Sequence, residues 1–159
     1  MQRTQVDIDE YRRKSLAKGL AVSYVDEMVE RYRSGTIFLI IAGGREFSDW
    51  NLMYSSYRQW FDQHDPDYTK TIVLSGMASG ADEMGYLISE DSGVPYEEYP
   101  ANWDLYGDQA GFDRNTEVAM WDRKSPGTRD MIIKSHRRRL NVTVSYYNTV
   151  EPKQVNTLW

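Results

Sequence analysis

Two spacings of apolar residues alternate along the chain. Thr36-Ile37-Phe38-Leu39-Ile40-Ile41 and Thr71-Ile72-Val73-Leu74 are short, β-branched and apolar on both faces. A strand buried within a parallel sheet has this character. They predict strands over 36–42 and 71–75. Val94 to Tyr99 and Asn141 to Tyr147 read as further strands, the former stopped by Pro100. Between them the period lengthens. Trp50, Met53, Tyr54, Tyr57, Trp60 and Phe61 share one face of a helix over 50–63, ended by Asp65-Pro66-Asp67. Ala81, Met84, Gly85 and Ile88 do the same over 80–92, and Met131 and Ile132 mark a helix over 128–139. A strand over 117–121 is compatible with the 17 residues that link Tyr99 to Glu117, since a parallel crossover needs about a dozen.

Ahead of this alternation, residues 1–35 read as a helical arm, divided near Gly19. Tyr24, Val25, Met28, Val29 and Tyr32 form an apolar stripe that must pack on the core or on a second subunit. The expected organisation is an arm over 1–35, one α/β domain over 36–149 with a mostly parallel sheet, and a tail over 150–159. Residues 100–115 read as a long loop.

Each of the first two strands runs into a glycine turn: Ala42-Gly43-Gly44-Arg45-Glu46-Phe47, and Ser75-Gly76-Met77-Ala78-Ser79-Gly80-Ala81-Asp82. Ligands of open α/β sheets bind outside the carboxyl ends of the strands. Small residues there let backbone approach a ligand, and a following helix start offers N–H groups to an anion. Arg45 suits a phosphate or carboxylate. Asp82 either supports its helix end or accepts from a ribose hydroxyl. Arg114-Asn115, after the glycine loop 107–111, and Ser125-Pro126-Gly127-Thr128, opening a helix, are two further candidates. Neither a Walker A lysine nor the G-x-G-x-x-G fingerprint is present.

Composition narrows the chemistry. The 159 residues hold no cysteine and two well-separated histidines, so disulfides and thiolate chemistry are excluded and no transition-metal site is expected. The net charge is −5, which disfavours a large nucleic-acid interface. His136-Arg137-Arg138-Arg139 is the one basic run. No apolar run approaches the ~20 residues of a membrane span, so a cytoplasmic protein is expected, with no membrane partner. Twelve Tyr and five Trp exceed what a minimal core needs, so some are expected at a surface or pocket.

Five motifs occur in a telling order: Gly43-Gly44-Arg45-Glu46-Phe47; Ser75-Gly76-x-Ala78-x-Gly80-Ala81-Asp82; Pro100-Ala101-x-Trp103; Gly111 with Arg114-Asn115; and Lys124-Ser125-x-Gly127-Thr128-Arg129. Together, over roughly residues 36–147, they resemble the YspA-like, YpsA-related branch of the SLOG superfamily, named for the SMF/DprA and LOG proteins and common in bacteria and phages. The resemblance implies a Rossmann-like sheet with helices on both faces. It also implies a pocket for a nucleotide or nucleotide-derived ligand, no resident cofactor, and a homodimer or higher homo-oligomer. Carried onto this chain, the ligand site comprises Gly43, Gly44, Arg45, Phe47, Ser75, Gly76, Ser79, Gly80, Ala81, Asp82, Trp103, Arg114, Asn115, Gly127 and Thr128. Arg45 and Arg114 would meet phosphates, and Trp103 or Tyr106 a base.

Two departures shape the functional reading. Members of the branch carry a helix and a strand between the Arg-Asn pair and the Trp-Asp turn, but here only residues 116–120 separate Asn115 from Trp121-Asp122. The LOG phosphoribohydrolases place a carboxylate three residues after the threonine of Pro-Gly-Gly-x-Gly-Thr. Here that position is Met131, and Asp130 is rotated about 100° from it on a helix. The leading expectation is therefore a binding module, a sensor or sequestering protein. A nucleotide N-glycosidase using Asp130 or Asp82 is the first alternative. DprA-like binding of single-stranded nucleic acid through Arg137, Arg138 and Arg139 is the second.

Overall fold

The computed structural model describes residues 3–76, 80–98 and 102–147, with side chains from Asp7 onward. Five strands form one sheet: β1 (Ile37–Gly43), β2 (Thr71–Ser75), β3 (Tyr96–Glu98), β4 (Thr116–Trp121) and β5 (Asn141–Tyr146), in the order β3-β2-β1-β4-β5. Every neighbouring pair is parallel. The chain winds outward from β1 through β2 to β3, then returns to the other side of β1 to add β4 and β5. The strand order thus reverses between β1 and β4, where Gly43 lies beside Met120.

Alternate side chains of β1 serve two cores, as the period of a strand demands. Leu39 and Ile41, with Val73, Val118 and Met120, pack under α3 (Trp50–His64) and α4 (Ala81–Ser92). Phe38 and Ile40 point to the other face, which is covered by the arm helices α1 (Arg3–Ala17) and α2 (Val22–Arg33). Beside the arm, α6 (Pro126–Arg137) covers Ala119 and Trp121 of β4 through Ile132.

The stripe on α2 therefore finds its partner within the chain. Val25, Met28, Val29 and Tyr32 are buried, and Tyr32 stacks on Phe112 with 4.2 Å between ring centroids. Tyr32 donates to Asp113 (2.7 Å) and Tyr24 to Gln109. Arg31 reaches Glu97 on β3 at 2.9 Å.

Several boundaries shift from the sequence expectation. The third strand shrinks from 94–99 to three residues: Pro95 has no N–H to give the ladder, though its carbonyl accepts from Val73 (2.8 Å), and Tyr99 lies outside the described residues. The last helix starts at Pro126, since proline suits a first helical position, and ends at Arg137. Within the expected loop 100–115, the described residues from 102 onward hold the one-turn helix α5 (Trp103–Tyr106) and a 3-10 turn, Gly107–Gly111. These short turns suffice to deliver the chain to β4. The tail 150–159 lies outside the described residues.

Candidate functional site

The two glycine turns are stitched to each other. The Gly44 carbonyl accepts from the N–H groups of both Phe47 and Ala81, each at 3.2 Å. A Cβ on Gly43 would collide with Ala81 and come within 2.8 Å of the Met120 carbonyl. At Gly80, with φ +79°, a Cβ would press on the carbonyl oxygens of Gly44 and Arg45, the latter at 2.5 Å. Glycine at 43 and 80 thus lets two segments of backbone touch. Gly127 differs: no atom lies within 4 Å of where its Cβ would be.

A cleft of about 620 Å³ opens at the carboxyl ends of the strands, beside the β1/β4 reversal. Such a volume suits a nucleotide-sized molecule. One wall is the first turn, Ala42 to Glu46, with Asp82 from the first turn of α4. The opposite wall is the β4–α6 connection: Asp122, Ser125, Gly127, Thr128 and Met131. Tyr147, just past β5, completes it.

The second wall is held from within. Asp122 Oδ1 accepts from the backbone N–H groups of Lys124 and Ser125, both at 2.8 Å. The Trp121 indole donates to the Ser125 carbonyl (3.1 Å), and the Ser125 and Thr128 hydroxyls bond each other at 3.1 Å. No side chain caps the start of α6. Its first amides and its dipole therefore favour an anion in the cleft. Tyr147 meets Phe47 edge-to-face at 4.7 Å, and its hydroxyl occupies the space a side chain at Gly44 would need.

Asp82 is half-buried. Loss of water pushes its carboxyl up to about 6, against the opposing pull of the Ser75 hydroxyl and the Arg45 charge. Ser75 itself is buried and donates to the Gly76 and Asp82 carbonyls, at 3.3 Å each; Tyr96 donates to the Ser75 carbonyl (3.0 Å).

Of the residues expected at the site, the structure brings Gly43, Gly44, Arg45, Asp82, Gly127 and Thr128 into the cleft wall. Phe47, Ser75, Gly76, Gly80 and Ala81 stand behind it and shape its turns; Ser79 lies outside the described residues. Arg114, Asn115 and Trp103 are not brought to it. Asn115 immediately precedes β4, which puts it at the amino end of the sheet. There its side chain accepts from Phe38 N–H (2.9 Å) and donates to the Gln109 carbonyl (3.0 Å). Arg114 lies over the Tyr32 ring, 4.0 Å from its centroid, and donates to the Tyr32 carbonyl. Trp103 packs beside Gly107, with the Arg138 guanidinium 5.7 Å from its ring centroid.

Asp130 is exposed and paired with Lys134 at 3.0 Å, whereas Met131 faces the cleft. In the basic run, Arg138 is turned inward, near Asp108 and Trp103. Sequence reading missed Glu46, Asp122 and Tyr147. The Asp-x-Lys-Ser turn was the available signal for Asp122; Tyr147 had none beyond its place at a strand end. Among the described residues, no acidic or histidine cluster is arranged to hold a metal ion, and no helix is long and apolar enough to cross a membrane.

Residues 38–106 match the model of YAcAr, the YspA, cpYpsA-related SLOG family. The match runs from β1 through α5, and so includes both glycine turns and Asp82. It bears out the resemblance drawn from the motifs, over a shorter stretch than the motifs span. No curated protein and no solved structure gives a significant match.

Proposed function

We infer, from a chain whose residues 38–106 carry the YspA, cpYpsA-related SLOG signature, that this protein binds a nucleotide or nucleotide-derived small molecule. The carrying observation is the cleft itself: the uncapped start of α6 faces Arg45 across a nucleotide-sized space at the strand ends. Phosphate oxygens accept from the α6 amides and from Arg45. The Tyr147 ring, braced by Phe47, offers a face to a base. This is the equipment of a sensor or sequestering module. Mass spectrometry of small molecules released by denaturing the purified protein would identify the ligand.

Arg45→Ala weakens binding of that ligand about tenfold or more, because a hydrogen bond to a charged group contributes ~1.5–3 kcal/mol. Arg45 is exposed, so the melting temperature stays close to wild type. Calorimetry with the released ligand measures the effect; unchanged affinity removes Arg45 from the site.

For the hydrolase alternative, the relevant position holds Met131, and Asp130 is committed to Lys134 at the surface. A thioether does not stabilise an oxocarbenium-like centre as a carboxylate does. Incubation with AMP, GMP, CMP and UMP therefore yields no free base over many hours, as read by chromatography. Multiple turnovers lost in Asp130→Asn would reverse this reading in favour of an N-glycosidase.

A further inference from the structure

Three carboxylates line a cleft otherwise equipped for anions: Glu46, Asp82 and Asp122. They are not equivalent. One oxygen of Asp122 is committed to the amides that open the α6 wall. Glu46 is exposed at the rim. Asp82 is half-buried on the first turn of α4, held against the first turn through the Ala81–Gly44 hydrogen bond. An ionised carboxylate only accepts hydrogen bonds, so it repels phosphate and marks the place where a ligand presents donors.

A nucleotide has two kinds of donor, sugar hydroxyls and the amino or ring N–H groups of a base. Arg45 and Asp82 line the same cleft, and the Arg45 charge acts on the Asp82 carboxyl. The donor that Asp82 meets therefore lies close to the phosphate that Arg45 would hold. In a nucleotide the sugar stands between phosphate and base, and its two adjacent hydroxyls match the two oxygens of one carboxylate. We propose that Asp82 is the specificity-determining residue of this cleft: it accepts from the 2′- and 3′-hydroxyls of a ribose, and the site takes ribonucleotides in preference to 2′-deoxyribonucleotides. This rests on the reading of the cleft as a nucleotide site.

The test is calorimetric titration of the full chain at pH 7.5 with AMP, 2′-deoxy-AMP, UMP and 2′-deoxy-UMP. At that pH Asp82, with its pKa near 6, is ionised. A lost hydrogen bond to a charged acceptor predicts that each ribonucleotide binds about tenfold tighter than its deoxy form. Asp82→Asn narrows that ratio to about threefold or less. Removing a negative charge from an anion site raises all four affinities together, so the ratio, not the affinity, reports the hydroxyl contact.

Equal binding of ribo and deoxy forms by the wild type overturns the proposal without recourse to any variant. So does a ratio that survives Asp82→Asn. A difference between AMP and UMP with no ribo–deoxy difference assigns Asp82 to the base edge instead, and also overturns it. Binding of none of the four overturns this inference, and the nucleotide reading falls with it if the denatured protein also releases no nucleotide-derived molecule, whereas equal binding of all four removes this inference alone.

Discussion

Gly80→Val lowers the melting temperature by about 10 °C and abolishes ligand binding in the same step. Its φ of +79° and ψ of −129° belong to a region that β-branched residues avoid, at a cost of about 1–3 kcal/mol. The new Cβ also meets the carbonyls of Gly44 and Arg45. Because those atoms are backbone, relief requires the two turns to part, which opens the Ala81–Gly44 hydrogen bond and displaces Arg45. A total of roughly 3–4 kcal/mol corresponds to that fall for a chain of this size. Gly127→Ala is the matching control: with open space about its Cβ, it leaves the melting temperature unchanged within about 2 °C. Thermal denaturation followed by circular dichroism compares the two. Equal melting temperatures would mean that the turns are not braced against each other.

Glu117→Gln stabilises the protein by about 3 kcal/mol at pH 7. Glu117 is the second residue of β4 and is fully buried. The Ser135 hydroxyl donates to its Oε2 at 2.6 Å, and its Oε1 has no hydrogen-bond partner among the described residues. Burial pushes this carboxyl up to about 8, with the Ser135 bond pulling the other way. Between an unfolded value near 4.5 and the folded value near 8, the folded state alone holds the proton. Stability is therefore greatest below pH 4.5, falls as the pH rises, and levels off above 8. At pH 7 the interval amounts to about 2.5 units, hence ~3 kcal/mol at 1.36 kcal/mol per unit. Glutamine keeps the shape and the acceptor for Ser135 but never ionises. Urea unfolding of both proteins at pH 4.5, 7 and 8.5 should show a difference that is small at the first value and grows to the last. A constant difference would place the effect in packing instead of protonation.

Glu117 also explains which parts of this fold can be read without coordinates. β1 and β2 are uninterrupted apolar runs, and their burial on both faces is visible in the residues themselves. β4 is just as buried but carries Thr116 and Glu117, and nothing in the local pattern separates a charged residue that ends a strand from one enclosed by a helix. The cleft was legible at the glycines of its two turns, Gly43, Gly44 and Gly80, where a side chain has no room. Even there the reason differed, because at 43 and 80 the approaching atoms belong to the other turn. Arg114 and Asn115 show the reverse limit. Their place after a glycine loop suggested closure over a ligand, but a residue directly before a parallel strand lies at the amino end of the sheet, opposite the cleft. The strand read over 117–121 already carried that information, since Arg114 and Asn115 directly precede it. Tyr147 and Asp122 join the wall through the order of the strands, which places β5 beside β4 and which no local pattern encodes.

The arm's contacts bear on how the chain is made. Tyr24 and Tyr32 on α2 find their partners at Gln109 and Asp113, 85 and 81 positions later, and β1 gains its second neighbour only when β4 exists. At a synthesis rate of about 5–20 residues per second, α2 waits on the ribosome for roughly 4–16 s with the part of its apolar face that meets Gln109, Phe112 and Asp113 uncovered. Slowing translation between α2 and β4 lengthens that wait. Yield in cells then depends on elongation speed and on chaperone supply, even where the finished protein is equally stable.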